Sequence, residues 1–205
     1  MTTPASAAVS HVGKIRADNQ DSGYAGSRLF VVADGMGGHS GGDVASRLVV
    51  EEFARLGGSS YTTDEARSAV YDALVAAQQR IHAYAEDHRR AGSPGWFAGT
   101  TAVAGVLVDA DGGPRWLVAN LGDSRAYRLL DGRLEQVSVD HSVVQELVDA
   151  GAITVAEMAT HPERHVVTRA LGGPDAADGS ASPNGRSASA AQRRTVGAGP
   201  VGGVR

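Results

Sequence analysis

Three short segments carry the residue types that could do chemistry. In Asp34-Gly35-Met36-Gly37-Gly38-His39-Ser40-Gly41-Gly42 an aspartate leaves an apolar run and enters a glycine-rich turn. Glycines let the backbone, and ions beside it, approach closely. A carboxylate, a backbone carbonyl and water are the oxygen ligands that a hard divalent cation takes. By itself, Asp-Gly is also an ordinary turn. Upstream, Arg16-Ala17-Asp18-Asn19-Gln20-Asp21 sets an arginine among acidic residues. The planar guanidinium fork suits a phosphate dianion, and nearby carboxylates can orient water; by itself the segment is a polar turn. Asn120-Leu121-Gly122-Asp123-Ser124-Arg125 adds a further carboxylate between two apolar runs, where Gly-Asp also reads as a hairpin turn. His39 lies inside the glycine loop, where it either protonates a leaving alkoxide or simply sits at a helix start. His141, His161 and His165 lack metal-ligand spacing and read as surface or capping residues.

The elements that must position these residues are visible in the periodicity. Ala7–Val12 reads as a first strand, and Leu29–Ala33 as a strand of buried type ending at Asp34-Gly35. Asp43–Leu56 fits a helix, with Ala45, Val49, Phe53 and Leu56 on one side and Gly57-Gly58 as a stop. Thr62 to about Arg90 fits a long helix. Thr62 and Glu65 have capping-box spacing, and Val70, Leu74, Ala77, Ile81 and Tyr84 form its apolar stripe. Strands follow at Thr100–Val108, Trp116–Leu121, Arg125–Leu130 and Arg133–Val137, punctuated by Asp111-Gly112, Gly122-Asp123 and Asp131-Gly132. Such a run of hairpins implies an antiparallel sheet. Short helices at Ser142–Ala150 and Thr154–Ala159 complete an α+β pattern, the second with the capping-box pair Thr154 and Glu157.

Composition narrows the classes. The 205 residues suit one domain, or one domain with a tail, and are 42% hydrophobic and 20% charged, ordinary for a soluble globular protein, with a formal net charge of -4. There is no basic excess to mark a nucleic-acid surface. No apolar stretch approaches the roughly 20 residues of a membrane span, and the N-terminus lacks the pattern of a signal peptide. A cytoplasmic protein is expected. The sequence contains no cysteine, which excludes thiolate-zinc sites and any reaction through a cysteinyl-phosphate. Lys14 is the only lysine, so the glycine loop has no Gly-Lys-Ser/Thr ending and is not a nucleotide P-loop. Pro174–Arg205 has no Leu, Ile, Phe, Met, Trp or Tyr, and is expected to be disordered because it can bury too little apolar surface.

In order and spacing the segments are specific. Gly13–Asp21, Val31–His39, Gly99-Thr100-Thr101 and Asn120–Arg125 together resemble bacterial members of the metal-dependent phosphatase 2C family of serine/threonine protein phosphatases. The resemblance continues through Asp140-His141-Ser142, Leu147, Gly151-Ala152-Ile153, His161-Pro162 and Thr168-Arg169-Ala170-Leu171-Gly172, and covers about Ala5 to Gly173.

The resemblance implies a phosphatase 2C-like α+β sandwich of two antiparallel β-sheets flanked by α-helices. It implies two Mn2+ or Mg2+ ions, with Asp34 bridging them, the Gly35 carbonyl on one, and Asp123 serving a third. Arg16 would hold the substrate phosphate, Asp21 would hydrogen-bond water at the ions, and His39 lies near the place of the general acid. Residues from about His141 to His165 resemble a flap beside the site. The implied function is hydrolysis of phosphoserine and phosphothreonine by a metal-activated water. The implied partners are phosphoproteins made by serine/threonine kinases, with no nucleic acid, no membrane span and a monomeric state. The family pattern continues with a Ser-Asp-Gly strand and an Asp-Asn pair that complete the ion site. Neither occurs here, and Asp175 and Asp178 are the only acidic residues after Glu163. The expected domain is therefore 1–173, incomplete at its C-terminus, and 174–205 is a tail that an out-of-frame reading would explain. Whether these residues are catalytic is left open; the alternative is a non-catalytic phosphopeptide-binding or regulatory fragment.

Overall fold

Leu29–Met36 is the strand around which the molecule is built (β2). Leu29, Val31 and Ala33 are fully buried on one side, whereas Val32, on the other, is 47% exposed. The period of two assigns Asp34 to the second side. The computed structural model describes residues 4–37, 41–93, 95–173 and 192–197.

β2 pairs with β1 (Asp21–Ala25) on one edge and with β4 (Ala102–Ala110) on the other. β4 turns at Asp111-Gly112 into β5 (Gly113–Leu121). The last two residues of β2 change partner and pair with β3 (Gly99–Thr100), which carries β8 (Leu171–Gly172). A separate hairpin, β6 (Tyr127–Leu130) and β7 (Arg133–Gln136), closes at Asp131-Gly132, both at positive φ, as a two-residue primed turn requires. Every pairing is antiparallel, as the punctuation at Asp111-Gly112 and Asp131-Gly132 predicts; Gly122-Asp123 instead carries the chain from the large sheet to the small one and closes no hairpin. Gln192–Gly197, within the segment expected to be disordered, forms β9 on the free edge of β5.

Helices α1 (Gly42–Ala54) and α2 (Thr63–Arg90) cover the first face of the large sheet. The stripes read from the sequence are the packed ones: Ala45, Val49 and Phe53 from α1 meet Val70, Leu74, Ala77 and Ile81 from α2, all at most 2% exposed. Truncating Phe53 to Ala there would cost about 3–5 kcal/mol. α2 starts where the Thr62–Glu65 box predicts. The Glu65 N–H donates to the Thr62 hydroxyl, and the Glu65 carboxylate accepts from the Thr62 N–H. On the opposite face Val103 and Val118 pack with Ala126 and Val137, which flank the β6–β7 hairpin. The order is helices, large sheet, small sheet. Two short helices follow, α3 (Val143–Asp149), capped by Ser142, and α4 (Val155–Met158), whose Glu157 carboxylate accepts from the Thr154 N–H and hydroxyl.

Two expectations are corrected. Ala7–Val12 is not a strand, and Val9 is 95% exposed. The first strand is instead Asp21–Ala25, whose Asp, Ser and Gly give no strand signal of their own; pairing with buried β2 overrides propensity. The single strand expected over Thr100–Val108 is interrupted at Thr101, where the chain passes from the β3–β8 arm into the main ladder.

Candidate functional site

Asp34 sits where β2 changes partner, and its backbone is held on both sides of the peptide. Its N–H donates to Thr101 Oγ1 at 3.0 Å, and its carbonyl accepts from the Thr101 N–H and from Thr100 Oγ1, each at 3.0 Å. The next residue explains the glycines. A Cβ on Gly35 would lie 2.2 Å from the Gly42 carbonyl oxygen and 2.5 Å from that of Gln20. Only glycine lets the end of β2, the Arg16–Asp21 turn and the start of α1 meet there. The Gly35 N–H donates to the Gln20 carbonyl at 3.2 Å, which ties the Arg16 segment to the strand end.

An open cleft of about 740 Å3, a size that admits small ligands, is lined by Arg16, Asp18, Gln20, Asp34, Gly35, Thr101, Asp123 and His165, among others. Of the residues predicted from sequence, Arg16, Asp34, Gly35 and Asp123 therefore share one site. Asp21 does not line this cleft; it borders a neighbouring hollow under the N-terminal segment. It is nevertheless directly opposite Asp34 in the β1–β2 register, so both carboxylates leave the same face of the sheet. His39 lies outside the described residues.

Like charges directly opposite each other on a sheet repel, and the site shows the consequence. The Asp34 carboxyl is pushed up to about 6, first by lost hydration in the cleft and then by the adjacent Asp21 carboxylate, which is within hydrogen-bonding reach; Asp123 adds to this and Arg16 opposes it. Asp123 is raised as well, first by burial, with Asp140 adding and Arg125 and His165 opposing. Carboxylates held together against their repulsion, beside the backbone of Gly35 in the cleft wall, are a donor set that a hard divalent cation stabilises. Among the described residues no three acidic or imidazole side chains converge into a closed cage. The arrangement fits an open oxygen site in which water supplies the remaining ligands.

The Asp123 turn is anchored separately. Gly122, at φ +111°, donates its N–H to His141 Nδ1 at 3.1 Å, and its carbonyl accepts from the His141 N–H at 2.9 Å. Arg125 Nε donates to the buried Asp140 carboxylate at 2.8 Å, and Ser142 caps α3. His141 is thus a buried anchor, 3% exposed, and not the surface or capping residue its sequence context suggests. Its imidazole is pushed down to about 4, chiefly by burial and also by Arg169, so it accepts from Gly122 as the neutral ring. His165 is exposed, as expected of a surface residue, and lines the cleft. Neither position has a local sequence signal; each depends on where the loops return.

Residues 8–171 match the family model described as Protein phosphatase 2C. The chain is 40% identical over 172 residues to the serine/threonine protein phosphatase PstP of Mycobacterium tuberculosis, covering 82% of this chain and 31% of that protein. It is 33% identical over 168 residues to the serine/threonine phosphatase stp of Listeria welshimeri, covering 78% of this chain and 64% of that protein. The chain thus spans less than two thirds of these relatives. The crystal structure of the Mycobacterium tuberculosis serine/threonine phosphatase PstP/Ppp superposes with a TM-score of 0.76 at 35% identity, over 94% of this chain and 73% of that one. The catalytic domain of PstP in complex with two manganese ions superposes with a TM-score of 0.72 at 34% identity, over 94% and 72%.

Proposed function

We propose, since this chain belongs to the protein phosphatase 2C family, that it removes phosphate from phosphoserine and phosphothreonine in proteins, using divalent manganese or magnesium. The observation that carries this reading is the convergence of Arg16, Asp34, Gly35 and Asp123, from three separate segments, on one cleft. We take residues 1–173 as the family domain, in keeping with the match over 8–171 and with Leu171 as a fully buried core residue. A monomer in the cytoplasm acting on kinase-modified proteins is part of the same proposal. Among the described residues no helix is long and apolar enough to cross a membrane.

Asp34 and the Gly35 carbonyl are the proposed primary cation ligands, with Asp123 serving a further ion. A divalent cation bound there supplies Lewis acidity that lowers the pKa of water and offsets phosphoryl charge. Arg16 donates two parallel N–H groups to phosphoryl oxygens and orients the ester. Asp21, opposite Asp34, would accept a hydrogen bond from the attacking water, which has shed a proton to solvent, and hold it in line with the departing serine or threonine oxygen. The P–O bond to water forms as the P–O bond to the side chain breaks, and the leaving alkoxide takes a proton, for which His39 is the proposed donor. No covalent intermediate is required, in keeping with a sequence that has no cysteine.

The test is phosphate release from a phosphothreonine peptide by EDTA-dialysed protein after addition of Mn2+. Manganese-dependent release that disappears in Asp34→Ala is the expected outcome. Release from the unaltered chain no greater than from Asp34→Ala would sink the reading.

A further inference from the structure

We propose that Thr101 is the positioning residue that sets the Asp123 turn against Asp34, and that it acts through its hydroxyl. The proposal rests on the reading of the cleft as a cation site. Thr101 is 1% exposed and stands at the break between β3 and β4. Its Oγ1 accepts the Asp34 N–H at 3.0 Å and lies 2.6 Å from Ser124 Oγ, next to Asp123. Its N–H donates to the Asp34 carbonyl at 3.0 Å. One side chain therefore links both carboxylate-bearing segments.

The packing agrees with the hydrogen bonds. A Cβ on Gly122 would lie 2.6 Å from both Cβ and Cγ2 of Thr101, so the bare backbone of the turn rests on the threonine. On its far side the same glycine is held by His141 at both N–H and carbonyl, and Asn120 Nδ2 donates to that carbonyl at 3.1 Å. The turn is clamped between a fixed anchor and Thr101. His141 fixes where the turn lies relative to the following loop, and Thr101 fixes where it lies relative to Asp34. Removing the hydroxyl while keeping the β-branched shape would leave the Asp34 N–H and the Ser124 hydroxyl without this partner. The two carboxylates would then lose their set spacing while the core stays filled.

The experiment measures Mn2+ binding by calorimetry, at neutral pH, for the full chain and its Thr101→Val, Thr101→Ser, Ser124→Ala and Asp34→Ala variants. Outer-shell partners of metal ligands typically contribute tenfold or more in affinity, so Thr101→Val should bind Mn2+ about tenfold more weakly and Thr101→Ser within about threefold of the unaltered chain. In EDTA, amide exchange at Asp34 and at Gly122–Arg125 should quicken in Thr101→Val and be restored in Thr101→Ser. Affinity retained within about twofold in Thr101→Val, with binding lost in Asp34→Ala, overturns the positioning role and leaves the cation site standing. Binding by the unaltered chain no tighter than by Asp34→Ala removes the cation site and this role with it. Should Thr101→Val fail to fold, Ser124→Ala decides: weakened Mn2+ binding with faster exchange at residues 122–125 supports the role, and unchanged values of both overturn it.

Discussion

Glu51 and Glu52, where α1 meets α2, are answered by arginines; Asp34, in the cleft, faces the carboxylates of Asp21 and Asp123, which Arg16 only partly offsets. Arg80 reaches from α2 to Glu51 and Glu52, at 2.6 Å each, and Arg55 adds a 2.7 Å contact to Glu52, whose side chain is only 5% exposed. At the cleft, Asp34 stands opposite Asp21 across the β1–β2 ladder, and Arg16 opposes the surrounding negative charge without cancelling it. Both regions concentrate negative charge. The first is compensated within the fold and fastens two helices together. The second is left with surplus charge and therefore has free energy to give to a cation.

The comparison can be broken most severely at Asp34. Asp34→Asn is expected to lower Mn2+-dependent phosphate release by about a thousandfold, as loss of a metal ligand and its charge would. The same change should raise the thermal midpoint in EDTA, because it removes one of two facing charges. A midpoint that falls instead would show that Asp34 is compensated by the fold, as Glu52 is. Arg16→Ala should reduce kcat/KM for a phosphopeptide by about a hundredfold, if the proposed bidentate charge-assisted contact to phosphate is the one lost. Calorimetric Mn2+ affinity should stay unchanged in that variant, which separates phosphate binding from cation binding.

At the helical junction the expected effect is on stability alone. Glu52→Gln leaves Arg80 and Arg55 without a buried carboxylate and should cost about 2 kcal/mol in urea unfolding, less than a fully buried pair because both arginines are partly exposed. Its Mn2+ affinity should match that of the unaltered chain. The smallest effect sharpens the contrast through pH. Below about 6 the Asp34 carboxyl is protonated, and a cation must displace that proton, so Mn2+ affinity should fall about tenfold from pH 6 to pH 5. The folded-state value lies above the ordinary 3.8. The metal-free fold therefore gains from this group at low pH and loses that gain as pH rises from about 4 through 6. Thermal midpoints in EDTA should carry this decline, and Mn2+ should reduce it.

Much of the architecture was legible because its signals are local. The stripe Val70, Leu74, Ala77, Ile81 lies within one helix, and the Thr62–Glu65 box spans one turn; both act before any long-range contact forms. Asp131-Gly132 and Asp111-Gly112 mark their hairpins for the same reason. The candidate site was legible only as three motifs. Their chemistry could be read from residue types, while their meeting in one cleft was inferred from a resemblance. The burial of His141 is not legible in the sequence, because an isolated histidine has no periodicity and its environment is settled by segments remote in sequence.

The sequence alone determined which residues could bind phosphate and cations, where the two long helices run, and that the strands pair antiparallel. Tertiary structure decided that Asp21–Ala25, with no strand propensity of its own, would be a strand, and so placed Asp21 opposite Asp34. It also decided that the strand expected over Thr100–Val108 would be interrupted at Thr101, whose side chain holds two carboxylate-bearing segments together. The physical reason is range: helix and turn preferences act over a few residues, whereas ladder register and close backbone approach, such as Gly35 on Gly42, exist only once distant segments have packed.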